Sequence, residues 1–228
     1  MKKLLLLFLF SCVLRAQSFD VDKISGKVYY FRGAGDNMQE LHTGDKLSAG
    51  DMLLTMDNSS VLISRGGQEF LLRSNSVLGM NTLRKISLDE LLLALAMEEI
   101  RNVPRPKGRK DIKSTAVYGA DAGASKATAV SRGLGEKRIN GARQLADNGY
   151  RETSIIFARE TFRKYPETRN NVSDRIYFAE IMEKLNLPEE AYNEYSSIST
   201  LDISQSERQQ IDQKMKKLSV KLQKKSLK

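Results

Sequence analysis

The sequence predicts an α+β multidomain chain, a small antiparallel β-domain followed by an array of α-helical hairpins. Three observations predict it: short β-type apolar runs broken by Gly and Asp-Asn turns up to residue 80, helical spacing of apolar residues from Ile86 onward, and a basic, Pro- and Gly-rich stretch from Arg101. With 228 residues, 40% hydrophobic and 29% charged, the chain is long enough to bury a core. It has no Trp, one His and one Cys, which removes the material for a His-based triad, a zinc cluster or a disulfide framework. A non-enzymatic role with no metal and no cofactor is expected.

Lys2-Lys3, the unbroken apolar run from Leu4 to Phe10 and the following Ser11 to Ser18 read as a bacterial export signal. Residues 1–16 form that signal peptide, with cleavage after Ala16 and Ser18 as an alternative edge. The apolar stretch ends at Leu14, short of the ~18–20 residues a spanning helix needs, so no transmembrane anchor is expected. The protein is expected in the periplasm or otherwise exported. Leu9-Phe10-Ser11-Cys12 also resembles a lipoprotein signal in which Cys12 is acylated. Phe before Ser matches that pattern poorly, so lipidation at Cys12 stands as the alternative. Once Cys12 is removed the chain has no cysteine, and its stability rests on packing alone.

Five strands are expected, at 26–31, 52–55, 60–63, 69–72 and 76–78, separated by turns at 32–37, 57–59 and 65–67. Gly44 and Gly50 suit turns, Asp45 and Asp51 suit hydrogen bonds to turn amides, and Leu47, Leu53 and Val61 alternate into a core. Asp45, Asp51 and Asp57 are six apart and lack a dense ligand loop, so they do not suggest a metal site. His42 lies beside the Gly44 turn with no marked nucleophile and is expected as a surface or half-buried residue, not as a base.

The runs Ser25-Gly26-Lys27-Val28, Leu41-His42-Thr43-Gly44-Asp45-Lys46-Leu47, Gly50-Asp51-Met52-Leu53-Leu54-Thr55 and Asn58-Ser59-Ser60-Val61-Leu62-Ile63 together resemble the FecR domain. The resemblance covers about residues 20 to 80 and implies a β-domain that binds an envelope component. A later strand of that family is similar to Ser114-Thr115-Ala116-Val117-Tyr118-Gly119-Ala120-Asp121, without its Arg-Gly-Thr end.

Ser87 and Glu90 form a capping box that opens a helix running to Ile100 before Pro104. Its apolar residues occupy two faces, Leu88-Leu92-Leu95 and Leu93 with Ile100, so it is expected to be sandwiched between the sheet and another element. Asp89, Glu90, Glu98 and Glu99 argue against a helix lying on anionic lipid. The FecR-like β-domain with this trailing helix spans 19–100. Residues 101–135 are a basic, then Gly/Ala-rich linker, with one further strand near 114–120. Gly133-Leu134-Gly135-Glu136-Lys137 lacks the spacing of a phosphate loop, so no nucleotide is expected.

Residues 136–228 read as helices. Ala142, Leu145, the turn Asp147-Asn148-Gly149-Tyr150, Ile155, Phe157, Phe162 and Tyr165-Pro166 form one helix-turn-helix unit. Phe178, Ala179, Met182, the turn Leu185-Asn186-Leu187-Pro188, Ala191 and Tyr195 form a second. Both resemble the tetratricopeptide repeat, in which small residues on the two helices meet; Ala179 and Ala191 are twelve apart, as that contact requires. In the first unit either Gly141 or Ala142 fills the small site, opposite Thr153 or Ser154. Two repeats are fewer than the ~3 usually needed to stand alone, so these helices are expected to lean on the 88–100 helix or on a partner.

The last helix begins near Ser204 and carries an Ile211-Met215-Leu218-Leu222 stripe. Beside it Lys214, Lys217, Lys221, Lys224, Lys225 and Lys228 suggest a cationic ridge for an anionic envelope surface. Residues 1–16 hold three basic residues and no acid, leaving 34 basic against 28 acidic; from Arg208 onward 8 basic face one acid, so the excess lies in this tail. An exported protein rarely meets nucleic acid, so phospholipid headgroups, envelope polymers or an acidic protein are the expected partners, with no nucleic acid. These readings converge on an exported cell-envelope adaptor that binds a partner protein or envelope component. The alternative is a periplasmic regulator related to the FecR relatives that control sigma factors, a role that needs a cytoplasmic segment and a spanning helix, neither of which is expected here.

Overall fold

The computed structural model describes residues 18–32, 37–102 and 133–226. The expected signal peptide with Cys12, the strand near 114–120 and Lys228 lie outside the described residues. Contacts divide the chain into two compact units, one holding the described residues of Met1–Ser74 and Gly79–Asn81, the other those of Asn75–Leu78 and Thr82–Lys228.

The strands are β1 (Ser18–Ser25), β2 (Val28–Phe31), β3 (Met38–Glu40), β4 (Lys46–Ser48), β5 (Met52–Thr55), β6 (Ser60–Arg65), β7 (Gln68–Leu72) and β8 (Ser76–Gly79). They form two four-stranded sheets, ordered β4-β1-β6-β7 and β3-β2-β5-β8. The β1–β4, β1–β6, β6–β7, β2–β3 and β2–β5 pairs are all antiparallel. The sequence reading had five strands. It missed β3 and β4, each three residues long, and β1, an interior strand whose outward Asp20, Asp22 and Lys23 mask the inward alternation of Phe19 and Val21. As expected, Leu47, Leu53 and Val61 are at most 1% exposed.

The Gly-Asp cadence acts at turns. The His42 amide donates to Asp45 Oδ2 at 2.8 Å, and the Ser48 amide to Asp51 Oδ2 at 2.7 Å, each carboxylate closing a tight loop on a backbone N–H. Gly26 has φ +74°, and a Cβ there would collide with Ser59 Oγ and stand 2.9 Å from the Asn58 carbonyl oxygen. Ser59 Oγ also accepts from the Lys27 amide at 2.9 Å, so the turn before β2 is locked against the turn before β6.

The second unit contains six α-helices among the described residues: α1 (Leu88–Asn102), α2 (Leu134–Asp147), α3 (Arg151–Lys164), α4 (Val172–Lys184), α5 (Pro188–Ser199) and α6 (Gln205–Ser226). Helices α2 and α3 pair, α4 and α5 pair, α6 packs on α5, and α1 packs on α3. The expected capping box at α1 is present: the Ser87 amide donates to Glu90 Oε2 at 2.9 Å and the Glu90 amide to Ser87 Oγ at 3.1 Å. Ser204 and Glu207 repeat it at α6. One core runs through Leu91, Leu95, Ile155, Ile176, Ala179, Met182, Ala191, Tyr195, Ile198, Ile211 and Leu218.

Helix α1, placed by the sequence reading within a β-domain spanning 19–100, groups instead with the helices, because Leu91 and Leu95 are buried in that core. The expected two-sided burial is also corrected: Leu93, Met97 and Ile100 are exposed. Segment Asn75–Leu78 belongs to the helical unit through α2, with Lys137 Nζ donating to Asn75 Oδ1 at 2.8 Å and Gln144 Nε2 to Ser76 Oγ at 2.6 Å. Gly141 permits this approach, since a Cβ there would collide with the Val77 carbonyl oxygen.

Gly26→Ala is expected to destabilise the β-unit by about 1–3 kcal/mol, the strain of a left-handed non-glycine residue. Gly50→Ala, which meets nothing within 4 Å and has no positive φ, is expected to stay within about 0.5 kcal/mol. Urea unfolding read by hydrogen exchange of β1 and β6 amides checks both; equal effects would show that the Gly26–Ser59 lock carries no stability.

Candidate functional site

The lysines of the expected ridge do not act as one set. Lys214 is drawn into the helical unit, its Nζ lying 3.0 Å from Glu180 Oε1 and 3.1 Å from Glu183 Oε1 of α4. Burial disfavours its ammonium, but the bonds to Glu180 and Glu183 prevail and hold its pKa above the ordinary lysine value. Lys221 donates to Asn186 Oδ1 at 2.7 Å. Lys217 and Lys224 are exposed and make no ion pair among the described residues. The Lys225 side chain and Lys228 are outside the described part. The apolar stripe packs as expected, with Ile211 and Leu218 buried and Met215 partly buried against the same core.

Glu183 Oε1 also accepts from the fully buried Tyr195 hydroxyl at 2.8 Å. Burial and then this carboxylate raise the Tyr195 pKa far above its usual value, so its hydroxyl is a fixed donor. Lys214, Glu180, Glu183 and Tyr195 thus tie α6, α4 and α5 together. His42 is exposed as expected, its Nδ1 3.9 Å from Asp45. Among the described residues no three His, Cys, Asp or Glu side chains are placed to hold a metal ion.

The concave features of the helical unit lie elsewhere. A polar cleft of about 270 Å³ is lined by Glu98 of α1, Arg159 and Phe162 of α3, Arg169, Arg175 of α4, and Asn193, Glu194 and Ser197 of α5. Its floor is a buried ion pair: Arg175 Nε donates to Glu194 Oε1 at 2.6 Å, and an Arg175 Nη to Ser197 Oγ at 3.0 Å. Arg159 approaches Glu194 Oε2 at 3.3 Å and Glu98 at 4.0 Å. Arg169 spends Nε on the Phe162 carbonyl at 2.9 Å, is exposed, and makes no ion pair among the described residues.

A second groove of about 320 Å³ shares Glu98 and Arg159 with this cleft and is lined mainly by Ala94, Leu95, Met97 and Ile156, with Glu160 and Arg163 beside them. Glu160 pairs with Lys164 at 2.6 Å. Burial works against its charge, but Lys164 and then Arg138 hold its pKa below the usual carboxylate value.

The sequence marks Glu98 only as an acid of the 88–100 helix and Leu95 and Phe162 only as apolar helix positions, and gives none of the cleft residues a binding role. Arg159, Arg169, Arg175 and Glu194 are scattered among ordinary charges, and only Arg175 and Glu194, set among the buried positions of α4 and α5, carry a signal. Comparison with protein-family models, curated proteins and solved structures finds no match for this chain. Among the described residues no helix is long and apolar enough to cross a membrane.

The pair Arg175–Glu194 is about one-tenth exposed on both sides; removing Arg175 leaves Glu194 on Arg159, whereas removing Glu194 leaves Arg175 with the Ser197 hydroxyl and no counter-charge. Glu194→Leu alone is expected to lower stability by about 3–5 kcal/mol, while Glu194→Leu with Arg175→Met is expected to recover most of that loss. Denaturant unfolding of both variants checks it; a double variant as unstable as the single would show that the pair does not act as a unit.

Proposed function

We propose that this protein is an exported, non-catalytic adaptor of the bacterial cell envelope, with a FecR-like β-unit and tetratricopeptide-like helical hairpins that hold a partner protein. The observation that carries the reading is the α4–α5 hairpin. Ala179 and Ala191, twelve residues apart, are both completely buried, with Tyr195 completely buried in the same core. The α2–α3 hairpin supports the same spacing: Ala142 and Ser154 are completely buried, while Gly141 faces Val77 and Thr153 Oγ1 donates to the Arg84 carbonyl at 2.6 Å. Such hairpins stack to present side chains from successive helices along one surface, which suits them to extended partners.

The sequence cadence supports the β-unit half of the proposal, since the turns that carry it are the ones closed by Asp45, Asp51 and the Gly26–Ser59 contact. The basic tail has a smaller place in this reading, because Lys214 is already paired within α4–α6. Export with cleavage after Ala16 leaves β1 whole, whereas a cut at Ser18 removes a residue paired with Ser48.

Intact-mass analysis of the protein from its native envelope is expected to give an N-terminus at Gln17, with the acylated Cys12 form absent. Proximity labelling from a C-terminal fusion is expected to mark envelope proteins. Retention of the first 16 residues, together with labelling of cytoplasmic proteins alone, would overturn the reading.

A further inference from the structure

We propose that the outer face of α1, with the two clefts beside it, is a docking surface for an acidic amphipathic segment of a partner protein. The inference rests on the adaptor reading and names the surface and the chemistry of the partner. Leu93, Met97 and Ile100 follow one another at spacings of four and three, so they share a side of α1, and they are 63%, 48% and 72% exposed. On the other side Leu91 and Leu95 are buried in the helical core. A helix apolar on both sides belongs between two layers. Among the described residues α1 has one.

The bare stripe continues into the apolar groove through Met97 and from there, by way of Glu98 and Arg159, into the polar cleft. The charge along this path decides the partner. Each carboxylate lining it is already engaged: Glu98 and Glu194 by Arg159, Glu194 also by Arg175, and Glu160 by Lys164. Two guanidiniums, Arg163 and Arg169, are exposed and make no ion pair within 4 Å among the described residues, although Arg163 adds to the positive field that keeps Glu160 ionised. The matching segment therefore carries apolar side chains at helical spacing, for Leu93, Met97 and Ile100, and carboxylates beside them, for Arg163 and Arg169. Asp89 and Glu90 stand in the first turn of α1, so the partner's carboxylates belong toward Arg163 and Arg169 and away from that end.

The test uses the full chain carrying Cys12→Ser and a fluorescent designed helical peptide with Leu at i, i+4 and i+7 and Glu on its flanks. Its comparator has Lys in place of Glu. The acidic peptide is expected to bind at least tenfold more tightly than the lysine peptide. Leu93→Ser with Met97→Ser, at exposed positions, is expected to weaken it tenfold or more with the thermal midpoint unchanged. Arg163→Glu with Arg169→Glu is expected to invert the preference, so that the lysine peptide binds the more tightly.

Equal binding of the two peptides, or no inversion in the folded double variant, overturns the proposal. So does a dimer in sedimentation that Leu93→Ser dissociates, which would make a second copy the occupant. Leu93-dependent binding to phosphatidylglycerol vesicles without peptide binding would assign the face to lipid instead. Leu93→Cys is expected to label as fast as a free exposed thiol; slow labelling would mean that the chain covers this face itself. Envelope labelling with a failed peptide test sinks this surface alone, whereas peptide binding with purely cytoplasmic labelling sinks the adaptor reading alone.

Discussion

The helical unit depends on closing a core that two hairpins cannot close by themselves. Helices α2 to α5 pair two by two, and each hairpin leaves apolar surface that must be covered. The covering comes from outside the hairpins: α1 contributes Leu91 and Leu95, and α6 contributes Ile211 and Leu218, all to one shared core. Nothing covalent assists, since the one cysteine of the sequence is Cys12. With apolar burial worth roughly 25 cal/mol per Å², two helices with buried faces are the means by which so short an array reaches a folded minimum. Polar contacts set how the covering helix α6 lies. Lys214 bridges to Glu180 and Glu183, and Glu183 in turn receives the Tyr195 hydroxyl, so one carboxylate fixes α4, α5 and α6 together.

Using α1 as a covering layer has a consequence for function. A helix recruited for one face retains the other, and here the second face carries Leu93, Met97 and Ile100 beside clefts with two exposed guanidiniums that make no ion pair within 4 Å among the described residues. The buried Arg175–Glu194 pair is a different matter: its groups are engaged by each other, by Ser197 and by Arg159. It lies within the polar cleft and leaves recognition to the exposed Arg169 there and to Arg163 in the neighbouring groove. In the β-unit, similarly, the conspicuous residues serve the backbone. Asp45 and Asp51 bond turn amides, and Gly26 makes room for Ser59.

How much of this was legible depended on whether a local rule or a tertiary contact decided each residue. Capping at Ser87 and Ser204, the inward set Leu47, Leu53 and Val61, and the spacing of Ala179 and Ala191 follow from period and turn chemistry, and the structure has them. Strand β1 was illegible because charged outward residues outnumber its inward ones, and its pairing with β4 and β6 is non-local. The side of α1 that is buried could not be read from two equally apolar faces; the contact with α3 selects Leu91 and Leu95. The lysine ridge failed at Lys214 for a related reason, since helical spacing reports which residues share a face but not the carboxylates that face meets across the bundle. The cleft is not legible in the sequence because its lining is spread over α1, α3, α4, α5 and the turn that carries Arg169.

The most direct test of this account is native-state hydrogen exchange of the intact chain, resolved for α1 against α3 to α5. If α1 is an integral layer of the helical core, the amides of residues 91–98 open only with those of α3 to α5, at the same free energy and with the same denaturant dependence. Exchange of α1 through a separate, low-energy opening, or together with the β-strands instead of the helices, would contradict it.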